Sequence, residues 1–238
     1  PSTEGPTQWQ LLAPDALAIA RLVAIFGRPL QVAALNDLVE FGPARIHYAV
    51  NQLLETGVCR LGEEFIRCVD RATAHAIADA TDNPERLHSD LVAWLDSLDP
   101  RPLPALIWHA AAAGDHARVR VDGPAAVKQA IEEDPVFAER LSKRLWEHHC
   151  SQALAGPRIM ALVGTGKVDE AVNLGASWFA DREPVVEDVP ALVALAGIHA
   201  NHEGDVDEAM RLLDSARMVL GDRKAPRRMV LTEAQVSA

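Results

Sequence analysis

His148, His149 and Cys150 are the densest run of metal-ligating side chains in the chain. Consecutive helical residues point about 100° apart, so the three cannot easily share one ion, and the run reads as an amphipathic helix end. Cys59 and Cys68 carry a different chemistry. They flank Glu63-Glu64, and if those acids form a hairpin tip the two thiols face each other. Such a pair reads as a redox switch, as half a metal site, or as two small hydrophobes on one face of a ribbon; the last is preferred. Gly164-Thr165-Gly166-Lys167 has the look of a phosphate loop. It lacks the upstream Gly and the Ser or Thr after Lys that would complete one. No HExxH, GxSxG or GxGxxG motif is present. Glu132-Glu133-Asp134 and Glu187-Asp188 read as solvated faces or caps, and Trp94, Trp108, Trp146 and Trp178 as packing residues between helices. No converging polar set emerges, so the expectation is a non-enzymatic chain with no metal site and no cofactor.

The elements that would position these residues are mostly helical. Forty alanines stand against one Tyr, five Phe and five Trp, which favours helix over strand. A net charge of −11 argues against nucleic-acid binding by the whole chain, because phosphate contact needs clustered positive charge. No stretch is apolar enough for a membrane span. Three cysteines without Cys-x-x-Cys spacing indicate a reducing compartment, and the cytoplasm is the expected location. The chain opens on Pro1 without a leader pattern and reads as a piece of something longer.

Residues 10–80 read as one unit. Leu17, Ala20, Arg21 and Ala24 recur at helical spacing after Pro14-Asp15, and Gly27-Arg28-Pro29 ends that helix. A short helix is expected from about Gln31 to Val39, and a third from Pro43 with Ile46, Val50, Leu53 and Leu54 on one face. Val58 to Leu61 and Phe65 to Val69 then alternate as a β-hairpin around Gly62-Glu63-Glu64. Three helices and a two-stranded wing are the order of a winged helix. The third helix offers Arg45, His47 and Asn51 as candidate DNA contacts. Residues 10–78 are nevertheless slightly acidic, and two acids occupy the wing tip, so a structural or regulatory role is preferred.

Residues 81–104 read as a connecting helix, carrying Leu87, Leu91, Trp94, Leu95 and Leu98, and a Pro-rich linker, Asp99 to Pro104. From 105 to 222 the pattern is of helices punctuated at Gly114-Asp115, Gly123-Pro124, Asp134-Pro135 and Gly156-Pro157. Gly166-Lys167-Val168-Asp169-Glu170-Ala171 recurs as Gly204-Asp205-Val206-Asp207-Glu208-Ala209, a spacing of 38 residues from Gly166 to Gly204. Each copy places a turn glycine between two helices and a small Ala where they must approach. Residues 223–238 read as a basic tail or linker.

With Gly197, Gly204, Ala209, Leu213 and Ala216 in place, the second copy resembles the tetratricopeptide repeat, although Val193 and Ala200 stand where its large aromatics are usual. The spacing exceeds the usual ~34 residues. By this resemblance Ala191, Ala194, Ile198, Asn201 and His202 face a partner-binding groove. The succession of hairpin, "RATAHAIADAT", "ERLHSDLVAWLDSL" and "LPALIWHAAAAGDHARV" resembles the region behind the nucleotide-binding domain of bacterial STAND regulators (signal-transduction ATPases with numerous domains), many of which end in a LuxR-type domain. That resemblance implies the winged helix and helical-repeat arm of a transcriptional regulator. The arm would take an inducer or a partner protein, and the ATPase motif is not in this chain. Residues 161–220 carry eleven acidic side chains against four basic ones, so a cationic protein surface is the expected partner, with self-association also open. The competing reading is a winged-helix DNA-binding transcription factor with a helical oligomerisation domain.

Overall fold

A computed structural model describes residues 8–148 and 151–236. Among these residues the chain is mainly helical, with thirteen α-helices and one small antiparallel sheet. It divides into two compact units, Pro1–His116 and Ala117–Ala238.

In the first unit α1 (Pro14–Phe26) is the central element. Pro14 sits in its first turn, where the missing N–H costs nothing, and Gly27 ends it at φ 71°, its N–H bonding the carbonyl of Val23. Ala16, Ile19, Ala20 and Val23 are almost fully buried, and α1 packs on α3 (Pro43–Glu55), α4 (Arg71–Asp79) and α5 (Pro84–Asp96). Burying each large aliphatic side chain contributes roughly 1.5–3 kcal/mol before entropy is counted. The expected helix from Gln31 to Val39 is replaced by three short pieces: strand β1 (Leu30–Gln31), a 3-10 turn and the single turn α2 (Leu35–Leu38). Leu30, 1% exposed, enters the core through β1, so the chain is still extended where a helix was expected to start. β1 pairs antiparallel with β3 (Phe65–Cys68), which pairs in turn with β2 (Cys59–Gly62), giving the order β1-β3-β2. Asp70 caps α4 by accepting the N–H of Thr73, and Asn83 caps α5 from a left-handed conformation. α6 (Leu103–Ala112) closes the unit against α5.

The second unit holds α7 (His116–Glu133), α8 (Pro135–His148), α9 (Gln152–Gly164), α10 (Val168–Phe179), α11 (Val189–Ile198), α12 (Val206–Leu220) and α13 (Arg227–Val236). Two expected breaks do not occur. Gly123-Pro124 lies inside α7 and Gly156-Pro157 inside α9. The reason is proximity: a methyl group at Gly123 would meet Leu145 Cδ1 at 3.1 Å, and one at Gly156 would meet Asp188 Oδ1 at 3.3 Å. These glycines permit close contacts and turn nothing. Gly166 and Gly204 are turn residues, with φ of 74° and 69° in open surroundings. Ala171 and Ala209, five residues after each, are fully buried. The basic tail is not a free linker. Met229 and Thr232 recur at helical spacing and are buried, and Arg217 Nε reaches Glu233 at 2.8 Å, so the segment docks as α13.

Candidate binding site

The residues offered for DNA contact lie together on the exposed side of α3, and each already has one or more polar atoms engaged within the protein. Arg45 donates from Nε and Nη2 to the two carboxylate oxygens of Asp15, at 2.7 and 2.6 Å, and lies over the Phe41 ring. That bidentate pair holds the guanidinium pKa above its ordinary value. The amide Nδ2 of Asn51 meets Nε2 of His47 at 3.1 Å, so each side chain spends one polar atom on the other. Glu63 and Glu64 make the turn between β2 and β3. An exposed Tyr48 on α3 completes a face with little free cationic reach.

The second surface is a cavity of about 190 Å³ in the second unit, lined by α10, α11, the π-helical turn His199–Glu203 and α12. Val172, Gly175 and Ala176 form one wall, Leu195 and His199 a second, and Asp205, Glu208, Arg211 and Leu212 the third. Gly175 makes this arrangement possible: a methyl there would fall 2.4 Å from Leu195 Cδ1. Asp205 caps α12 by accepting the N–H of Glu208 at 3.0 Å. Arg211 then grips Glu208 with two donors, at 2.6 and 2.5 Å. The Arg211 bonds, with a smaller contribution from His199, hold the Glu208 carboxyl below its usual range, while Arg211 is pushed up. The mouth therefore presents a fixed carboxylate pair with one basic group already committed, beside an apolar floor.

The groove residues expected from the repeat resemblance divide. Ala191 and Ile198 are buried in the core of this unit and line no surface, because α11 is apolar all round and is covered on several sides. Ala194 is half-buried. Asn201 and His202 are exposed, and Asn201 Nδ2 folds back to the Gly197 carbonyl at 2.7 Å. The cavity-lining residues Gly175, Glu208 and Arg211 were missed. Their signals were an isolated glycine in an apolar helix and an i, i+3 charge pair, both of which usually mean packing or solvation. Asp188, expected at a surface or cap, is 1% exposed; its Oδ2 accepts the Val185 N–H, and burial raises its pKa. Asp134 does cap α8, accepting the N–H of Phe137. His149 and Cys150 lie outside the described residues, within which no three His, Cys, Asp or Glu side chains assemble as a metal site. Nor is any described helix long and apolar enough to cross a membrane.

No family model matches the chain, and no curated protein matches it. Among solved structures, a signal-transduction ATPase with numerous domains carrying a tetratricopeptide repeat sensor, from Pyrococcus horikoshii, is similar at a TM-score of 0.49 and 15% identity, over 92% of this chain. The chain spans 35% of that protein's length.

Proposed function

We propose that this chain is a non-enzymatic regulatory module of the STAND type, in which the α9–α12 repeat docks a protein with a cationic contact surface. The observation that carries the reading is the pair of α-hairpins turned by Gly166 and Gly204, with Asp169, Glu170, Asp207 and Asp214 exposed on α10 and α12, the helices that also line the Asp205–Glu208–Arg211 cavity. Like charge gathered on one face steers cationic partners and gives salt-dependent association. The first unit is read as a winged helix that packs on protein; the element order α1, β1, α2, α3, β2, β3 and the engagement of Arg45 by Asp15 support that reading. The cytoplasm is the proposed location, and an inducer of small size would enter the cavity. Selection of random displayed peptides on the full chain tests the proposal. Lys- and Arg-rich peptides should emerge, and their binding should fall with salt and with the double substitution Asp207→Lys, Asp214→Lys. Selection of acidic or purely apolar peptides, indifferent to those changes, would overturn it.

A further inference from the structure

Cys59 and Cys68 are direct cross-strand partners in the β2–β3 pairing. The Val69 N–H bonds the Val58 carbonyl at 3.0 Å, which marks 58 and 69 as a hydrogen-bonded pair. Antiparallel alternation then makes 59 and 68 a non-hydrogen-bonded pair, the type whose Cα atoms approach to roughly 4.5 Å. That separation lies inside the window of about 4.4–6.8 Å that a disulfide spans without backbone movement. Both are free thiols here, in hydrogen-bonding contact with each other. Their exposure is unequal: Cys59 is 3% exposed in the core of the first unit, whereas Cys68 is half-buried.

From this juxtaposition we infer that Cys59 and Cys68 form a reversible dithiol–disulfide pair that staples the base of the β2–β3 hairpin. The oxidant is a low-molecular-weight disulfide such as oxidised glutathione. Cys68 Sγ attacks one of its sulfurs, releasing one glutathione thiol and leaving a mixed disulfide. Cys59 Sγ gives up its proton to solvent and displaces the second glutathione. One protein S–S bond replaces two S–H bonds, and the oxidant leaves as two thiols. The roles follow from access, since only Cys68 can be reached first. The hydrogen bond from the Cys59 thiol holds the Cys68 pKa down, and the same bond holds that of Cys59 up. The staple ties Cys59, two residues after the α3 turn at Gly57, to Cys68, two residues before the Asp70 cap of α4. Oxidation therefore fixes the spacing between those two helix ends.

The test uses the full chain carrying Cys150→Ala, so that only this pair remains. It is equilibrated in graded mixtures of reduced and oxidised glutathione, quenched in acid, alkylated and weighed. The expected result is a single step from two alkylated thiols to none in the monomer. Trypsin, cutting after Arg45, Arg60, Arg67 and Arg71, should leave residues 46–60 joined to 68–71. The urea midpoint of the first unit should rise on oxidation and return with dithiothreitol, and Cys68→Ser should abolish both changes. Cys59→Ala, a small apolar replacement, should stop at the glutathione adduct on Cys68. A stable adduct in the parent, dimers in place of the internal link, or thiols that stay reduced while Cys150 of the unsubstituted chain oxidises would overturn the inference.

Discussion

The outer face of α3 and the mouth of the α10–α12 cavity both present charged side chains, yet they use them in opposite ways. On α3, Arg45 is closed on Asp15 and His47 meets Asn51, so the one guanidinium of that face is already paired. Around the cavity Arg211 is answered by Glu208, Asp214 lies 3.5 Å from Arg217 and Glu170 4.0 Å from Lys167, yet over residues 161–220 eleven acids stand against four bases. A surface whose charges are internally paired gains little from a charged partner, whereas an unbalanced one gains on-rate and specificity. The contrast is what favours the second unit in the proposed function.

The comparison breaks most visibly at the cores. The first unit is packed around residues such as Leu53 and the second around residues such as Leu213, both fully buried. Leu53→Ala and Leu213→Ala should each cost about 2–5 kcal/mol. Peptide-resolved hydrogen exchange should show each loss confined to its own unit; a loss spread evenly over both would join what is separated here. Next in size is Gly175→Val, which forces Leu195 aside and should cost roughly 1–3 kcal/mol, read from the urea transition of the second unit. Unchanged stability would mean that the α10–α11 approach is loose. Gly166→Ala and Gly204→Ala change only a left-handed turn in open space, so about 1–2 kcal/mol each is expected, without loss of the fold by circular dichroism.

The smallest effect is electrostatic. Burial raises the folded-state pKa of Asp188 above its unfolded value, so the native state holds a proton that the unfolded chain has released. Stability therefore falls as pH rises through the window just above the ordinary Asp range. Asp188→Asn keeps an acceptor for the Val185 N–H and should remove that slope in acid-to-neutral denaturation curves. A slope identical in both proteins would locate the titration elsewhere.

Where sequence and structure part, the reason is tertiary contact. The turns at Gly166 and Gly204 were legible because a repeated motif carried them, and the facing of Cys59 and Cys68 because hairpin register is set by its two-residue tip. Gly123-Pro124 and Gly156-Pro157 were misread as turns because their glycines are required by Leu145 and Asp188, residues remote in sequence. β1 escaped because two residues cannot show a period, and α13 because its basic side chains masked Met229 and Thr232. Ala191 and Ile198 were assigned to a groove on repeat geometry alone, while the apolar circumference of α11 already pointed inward.

The central claim, that the α3 face does not read DNA and that recognition lies on the acidic second unit, is met most directly by titrating the full chain into a labelled random-sequence duplex at low ionic strength. The account predicts no saturable change in polarisation, and none on replacing Arg45, His47 and Asn51 by Ala. Tight, salt-dependent binding that those three substitutions abolish would contradict it.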